Sequence, residues 1–207
     1  MNKIISLKNL SLDKLNEKGK NIVTKAYNIA QKAHEGQYRD EGTPYFEHPF
    51  RVALILTKEL DIIEPELICT ALLHDVIEDT DITFEFLKAE FGEKVAGNVL
   101  NLTKIKDKNV PKEVIIENYF DNLSKSEIGA QTIKLADRLD NLRHIHLSPS
   151  KDKQQRYFKE TKKYFLSWAK ELCPYIYNEM VKILNSYHPL NGRFMKRPYF
   201  ASFHDAP

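Results

Sequence analysis

The chain has 207 residues, enough for one substantial domain, and its 42% hydrophobic and 29% charged residues are an ordinary balance for a globular protein. A net charge of +2 gives no bulk attraction for nucleic acid or a membrane surface, so neither is expected as a partner. The chain shows no apolar run of membrane-spanning length and no signal peptide is expected, while two widely separated cysteines fit a reducing cytoplasm.

Apolar residues recur at helical spacing along most of the chain, and no segment shows the alternation of a strand. The predicted helices cover, in chain order, residues 11–34, 48–60, 65–78, 81–92, 95–102, 111–123, 127–146 and 151–185. Thr83 is expected to cap the fourth helix, Gly92 to end it, and Pro174 to break the last one. We therefore predict an all-α fold, with one compact domain of eight or more helices over residues 1–186 and a tail at 187–207.

The most informative stretch is residues 71–80, where four ionisable side chains directly follow an apolar run. On a continuous helix, His74 and Glu78 are four residues apart, as are Asp75 and Asp79, so both pairs project from one side. Placing an imidazole and carboxylates against a core is unfavourable unless a cation compensates their charge. A divalent metal would do so, because imidazole and carboxylate are its usual ligands. For a His-Asp pair taken alone, an amphipathic helix with a solvated acidic end is the alternative.

Further ligands are needed to close such a site, and two candidates lie elsewhere in the chain. His48 precedes Pro49 at the start of a predicted helix, where it could instead act as a cap. Asp137 borders the apolar stripe of the helix at 127–146, where a buried acid again needs a cation. A site of two histidines and two carboxylates from three helices would suit manganese, iron or zinc.

Four motifs in this order resemble a known family. They are AHEGQYR at residues 33–39, GTPYFEHP at 42–49, LLHDVIEDT at 72–80 and KLADRLDN at 134–141. Together they are similar to the hydrolase domain of RelA/SpoT homologues, in the His-Asp metal-dependent phosphohydrolase superfamily. The resemblance covers about residues 15–172 and includes no synthetase domain, which is typical of the stand-alone small alarmone hydrolases of the metazoan SpoT homologue type.

The resemblance implies one manganese ion, with other divalent metals left open, held by the ligands His48, His74, Asp75 and Asp137. It also implies that Glu78 and Asp79 are the catalytic acids. The reaction it implies removes the 3′-pyrophosphate of (p)ppGpp to give GDP or GTP. This agrees with the residues, because an acid one turn beyond the ligands could orient a water or carry its proton.

The resemblance extends to the residues that would bind a small-molecule nucleotide. Arg39 matches an arginine that stacks on the guanine base, and Asn141 matches a residue near the ribose or phosphate. Candidates for contacting the pyrophosphate are Lys104, Lys106 and Lys112, and Tyr164 could border the pocket. For each arginine or lysine alone, a solvated surface position is the alternative.

Several positions depart from the family pattern. Asp40 and Glu41 stand where a basic or small pair is usual, Asp140 where a histidine or tyrosine is usual, and His144 replaces a small polar residue. We expect none of them to touch the metal ligands and all of them to affect which nucleotide is accepted.

These departures leave other functions open. An adenine alarmone or NADPH is the alternative substrate. A non-catalytic nucleotide-binding module is a further alternative, which the presence of both Glu78 and Asp79 disfavours. The tail carries several aromatic residues, so we expect it to pack on its own domain or on a second subunit of a homo-oligomer. An ordinary disordered terminus is the alternative.

Overall fold

The computed structural model describes residues 6–104, 109–188 and 193–194. The all-α prediction is confirmed. The helices are α1 Glu17–Ala33, α2 Glu47–Leu54, α3 Pro65–Leu73, α4 Val76–Asp79, α5 Phe84–Phe91, α6 Glu93–Leu102, α7 Lys112–Ser124, α8 Ile128–His144, α9 Lys151–Glu160, α10 Leu166–Leu172 and α11 Pro174–Ser186. Short 3-10 turns cover Leu7–Leu10, Leu12–Lys14 and Ile145–Leu147. Two π-helical segments, Ile55–Glu59 and Thr161–Phe165, extend α2 and join α9 to α10.

Local signals in the sequence set several of these boundaries. The Thr83 side chain accepts a hydrogen bond from the Phe86 amide at the start of α5, as predicted. Gly92 ends α5 with a φ of 87°, a conformation that favours glycine. Pro174 begins α11, which confirms the break predicted in the last helical region.

The helix predicted over residues 65–78 is interrupted, and this corrects the sequence-based expectation. Helix α3 ends at Leu73 and α4 begins at Val76. Asp75, between them, has φ −102° and ψ −4°, well away from regular helical values. The His74 ring donates from Nδ1 to the Ala71 carbonyl at 2.8 Å, so a side chain takes part in satisfying the end of α3.

Helix α3 lies at the centre of the fold and positions the site. Its residues from Leu67 to Leu73 are all buried, and α1, α2, α6 and α8 pack around it. Burying each large aliphatic side chain contributes roughly 1.5–3 kcal/mol, so this packing fixes α3 firmly. The break at the end of α3 therefore presents His74 and Asp75 inside the molecule, beside α2 and α8.

The start of the tail forms two short antiparallel strands, β1 Tyr187–His188 and β2 Arg193–Phe194, where no strand was predicted. The Tyr187 ring stacks on Phe158 of α9, with centroids 4.0 Å apart. The division into a domain over residues 1–186 and a tail at 187–207 stays a prediction. Within the part of the chain that the structure describes, no helix has the length and apolar content to cross a membrane.

Candidate metal centre and active site

The structure brings three of the four predicted metal-ligand residues, His48, His74 and Asp75, into one cluster and places the fourth, Asp137, against His48. His48 comes from α2, His74 and Asp75 from the break between α3 and α4, and Asp137 from α8. His48 Nε2 lies 3.1 Å from Asp137 Oδ1 and 3.7 Å from Asp75 Oδ2, and His74 Nε2 lies 3.2 Å from Asp75 Oδ1. One ligand atom from each of His48, His74 and Asp75 falls within 4.8 Å of the others.

Both histidine rings are oriented by hydrogen bonds on the side away from the cluster. His48 Nδ1 donates to the Asp140 carboxylate at 2.7 Å, and His74 Nδ1 donates to the Ala71 carbonyl at 2.8 Å. These acceptors carry no proton to give, so each Nδ1 carries the hydrogen and each Nε2 faces the cluster.

The cluster fits a divalent cation. His74 Nε2 is buried without a well-formed hydrogen bond among the described residues, although Asp75 Oδ1 is close by. Burial lowers the pKa of His74, but the carboxylates of Asp75 and Asp137 outweigh that effect and raise the pKa to about 9. The same histidines hold the pKa of Asp75 below its usual range, against burial. A positive charge placed between the histidine nitrogens and the carboxylate oxygens would therefore be stabilised. Nitrogen and oxygen donors of these types are usual ligands of a divalent metal.

Asp137 has partners on its own helix as well. Its Oδ2 lies 2.7 Å from Lys134 Nζ, and its Oδ1 accepts a hydrogen bond from Asn141 Nδ2 at 2.5 Å. Burial raises the pKa of Asp137, but Lys134 and the two cluster histidines outweigh this and hold the pKa well below its usual value. Sequence reasoning did not assign Lys134 a role. Its position three residues before Asp137, on the same helical side, was the available signal.

The two predicted catalytic acids lie on α4, beside the cluster. Glu78 Oε2 accepts a hydrogen bond from the Lys104 amide at 3.1 Å. The Tyr45 hydroxyl lies 2.8 Å from Asp79 Oδ2 and 2.9 Å from Asp75 Oδ2, so it links a proposed acid to a proposed ligand. Tyr45 was not assigned a role from the sequence, although it stands three residues before His48 in the same motif.

A cavity of about 390 Å³ opens over these groups, and its size falls within the range of small-molecule sites. Its walls include His48, Asp75, Asp137 and both α4 acids. Its cationic lining comprises Arg39, Lys104, Lys134, Arg138, Lys153 and Arg156. An anionic ligand could therefore reach the cluster while contacting several positive charges.

Arg39 and Asn141, both predicted to bind the nucleotide, line this cavity and are hydrogen-bonded to each other. Arg39 Nη2 donates to Asn141 Oδ1 at 2.8 Å, and Arg39 Nε donates to Glu41 Oε1 at 3.1 Å. Asp40 forms an ion pair with Lys153 Nζ at 2.5 Å. The two acids at the rim are thus each paired with a cation, which reduces the repulsion that they would exert on a phosphate group.

Of the other predicted substrate-binding residues whose side chains the structure describes, only Lys104 lies in the cavity lining. Lys104 lines the cavity, where burial and the charge of Lys134 lower its pKa. Lys106 lies outside the described residues, and Lys112 begins α7 with a side chain that is also outside them. Tyr164 stacks on Phe120, with ring centroids 4.8 Å apart, and Phe120 is one of the residues that line the cavity.

One expectation about the departures from the family pattern is wrong. Asp140 touches a metal-ligand candidate, because its Oδ2 accepts the Nδ1 proton of His48. The physical reason is that Asp140 lies three residues after Asp137, on the side of α8 against which α2 packs. Burial raises the pKa of Asp140, but Arg51 and His144 outweigh this and hold it well below its usual value.

Known proteins resemble this chain in sequence and in fold. The family model for the HD domain matches residues 26–172. A zebrafish (Danio rerio) protein named guanosine-3′,5′-bis(diphosphate) 3′-pyrophosphohydrolase MESH1 is 41% identical over 127 residues, which cover 60% of this chain and 69% of that protein. The Haemophilus influenzae guanosine-3′,5′-bis(diphosphate) 3′-pyrophosphohydrolase is 39% identical over 178 residues, 82% of this chain and 25% of the longer relative.

A solved structure of a metazoan orthologue of SpoT, described as hydrolysing ppGpp, superposes with a TM-score of 0.71 at 31% identity. The match covers 79% of this chain and 94% of that one. The shared helical fold and sequence identity together place this chain in the HD-domain family, among the homologues of the MESH1 and SpoT type.

Proposed function

We propose that this chain is a metal-dependent hydrolase that removes the 3′-pyrophosphate of (p)ppGpp to give GDP or GTP. The observation that carries the proposal is the cluster of His48, His74 and Asp75 beside one cavity with a cationic lining. Asp137 lies against His48, and both α4 acids line the same cavity. Its relatives support it, because MESH1 at 41% identity is named for this reaction.

We further propose that His48, His74, Asp75 and Asp137 hold one manganese ion, which other divalent metals could replace. When bound, such an ion supplies positive charge at the phosphoryl oxygens and lowers the pKa of water toward about 7. The surrounding residues position the two catalytic acids. Tyr45 orients Asp79 to take the proton of the attacking water, and the Lys104 amide fixes Glu78 beside it.

The cavity walls would orient the nucleotide. Lys104 and Lys134 each place Nζ over the Tyr119 ring, at 5.3 and 5.4 Å from its centroid, so two positive charges lie on one wall. We assign this wall to the pyrophosphate because its charge complements the leaving group, and we expect Lys106 and Lys112 to contact the pyrophosphate as well. Arg39, held by Asn141, is assigned to the base, and Tyr164 to support of the cavity wall through Phe120.

The decisive experiment is a turnover assay with purified protein, manganese and ppGpp. Pyrophosphate release is expected, and EDTA, His74→Ala and Asp75→Ala should each abolish it. Activity that survives chelation or both substitutions would rule out the metal mechanism. Binding of ppGpp without turnover across several divalent metals would instead support a nucleotide-binding module.

The changed rim favours testing a second substrate class. Asp40 is paired with Lys153, and Glu41 with Arg39, at positions where the resemblance to RelA/SpoT homologues implies a basic or small pair. Parallel assays with an adenine alarmone and NADPH would show whether this rim admits adenine. Faster turnover of either compound than of ppGpp would replace the guanine assignment.

We also propose that the protein is located in the cytoplasm. Its two cysteines, Cys69 and Cys173, are both free, which fits a reducing compartment.

A further inference from the structure

Asp140 is a buried carboxylate that the proposed reaction does not use. Its side chain is 2% exposed and lies between two cationic or proton-donating groups of α2. Oδ2 accepts the Nδ1 proton of His48 at 2.7 Å, while Oδ1 accepts from Arg51 Nε at 2.7 Å. Arg51 Nη2 also lies 3.2 Å from Oδ2, so the guanidinium contacts both carboxylate oxygens. A buried carboxylate needs such a cation to remain charged.

This contact determines how the His48 ring is presented. A charged carboxylate only accepts hydrogen bonds, so it selects the ring form that carries the hydrogen on Nδ1. Nε2 is then directed at Asp137 Oδ1, 3.1 Å away, and toward Asp75 Oδ2. A hydrogen-bonded carboxylate also makes an imidazole a more basic ligand, and such partners commonly change metal affinity by 10- to 100-fold.

We propose that Asp140, held by Arg51, is a positioning residue that fixes the tautomer and orientation of His48 and thereby sets the metal affinity of the site. The proposal rests on the proposed function, because it assumes that His48 is a metal ligand. In this chain the arginine–carboxylate pair of Arg51 and Asp140 orients the ligand candidate on α2.

The test is calorimetric titration of the metal-free protein with Mn²⁺, comparing the unaltered chain with Asp140→Asn. Asparagine keeps the size of the side chain but loses the charge and one acceptor oxygen. The dissociation constant for Mn²⁺ is expected to rise about 10- to 100-fold. A second readout is the nitrogen NMR spectrum of histidine-labelled, Zn²⁺-loaded protein, in which the Nδ1–H signal of His48 should be present in the unaltered chain and lost or shifted in the variant.

Glu59→Gln is the matched control. Glu59, with its side chain 11% exposed, forms an ion pair with Arg143 of α8 at 2.6 Å, and among the described residues that pair touches no ligand candidate. This variant should lower the melting temperature while leaving the Mn²⁺ dissociation constant unchanged. If Asp140→Asn does not fold, Arg51→Lys, which keeps the charge but loses the two-point contact, should show a smaller rise in the same constant.

The outcomes separate the two proposals. An unaltered chain that binds no divalent metal would overturn the proposed function together with this inference. If the unaltered chain binds Mn²⁺ and Asp140→Asn binds it equally well, with the same His48 signal, only the positioning role of Asp140 fails. Equal weakening in Glu59→Gln would also overturn it, because the effect would then reflect general stability.

Discussion

Glu78 and Asp79 are adjacent in sequence, yet the structure supports their carboxylates through different groups. The Lys104 amide contacts Glu78, and the Tyr45 hydroxyl contacts Asp79. Because neither acid is one of the four ligand candidates, each should be replaceable without loss of the metal. We expect Glu78→Gln and Asp79→Asn each to lower kcat by about 10²- to 10⁴-fold, the usual contribution of a proton-transferring residue.

Steady-state kinetics and Mn²⁺ titration would be measured on the same preparations. Asp81→Asn is the control, since Asp81 is an exposed acid just beyond α4. It should retain nearly full activity. An unchanged kcat in both Glu78→Gln and Asp79→Asn would remove these residues from the chemistry.

The two cysteines should differ in reactivity for a physical reason. Cys69 lies inside α3 and is fully buried, and burial raises the pKa of its thiol to about 12. Cys173 is free and only half-buried, between α10 and α11. A thiol reagent at neutral pH should therefore modify Cys173 and leave Cys69 intact in the native protein. Mass spectrometry of the labelled peptides would show this, and denaturant should expose both thiols; rapid native labelling of Cys69 would contradict the packing of α3.

At the scale of helices, the contact between α3 and α8 can be tested with two glycines. A Cβ built on Gly129 of α8 would overlap Cδ2 of Leu67 in α3, and Leu67 is itself buried. Gly97 of α6 has open space at the same position. Gly129→Ala should therefore destabilise the protein by up to about 2 kcal/mol, because an overpacking cost of about 1–3 kcal/mol exceeds the gain of up to about 1 kcal/mol that alanine brings to a helix. Gly97→Ala should stabilise it by up to about 1 kcal/mol, because alanine favours a helix.

Urea denaturation of both variants would measure the two free energies of unfolding. The opposite signs are the informative result, since the substitution is the same and only the surroundings differ. Equal stabilisation by both alanines would mean that Leu67 moves aside freely and that α8 does not pack tightly on α3.

The helices themselves were largely predictable, because apolar spacing, Thr83, Gly92 and Pro174 are local signals. The interruption after Leu73 was not. It depends on the His74 ring bonding to a carbonyl of its own helix, and a helical repeat continues through this point in the sequence. This interruption matters for the site, because it allows the side chains of His74 and Asp75 to lie together in the cluster with His48.

Over the whole molecule, the four ligand candidates could be predicted because they stand in three recognisable motifs, with His74 and Asp75 sharing one. The residues that orient them could not. Asp140 and His48 are 92 residues apart, and Tyr45 and Asp79 are 34 apart, so these contacts arise only when α8 and α4 pack against the segment around α2. A local pattern of residue types does not predict contacts between residues that are this far apart in the sequence.

The tail is the remaining feature at this scale. Tyr187 stacks on Phe158 of α9 and pairs with Phe194 across the two short strands, so the first residues after α11 contact the helical domain. Burial of aromatic surface at this contact should stabilise the domain, since stacked aromatic pairs contribute about 0.5–1.5 kcal/mol beyond the area they bury. We therefore expect deletion of residues 187–207 to lower the melting temperature, and Tyr187→Ala to reproduce much of that loss.

A chain that ends after Phe194 is the matched control, because it keeps both strands and the Tyr187 ring. It should retain most of the melting temperature, and size-exclusion chromatography of all three variants would show whether the tail also holds a second subunit. If deletion of residues 187–207 changes neither the melting temperature nor the mass, the stacking of Tyr187 on Phe158 contributes nothing to folding. If only the mass changes, the tail acts between subunits, and the aromatic contact within one chain is secondary to that assembly.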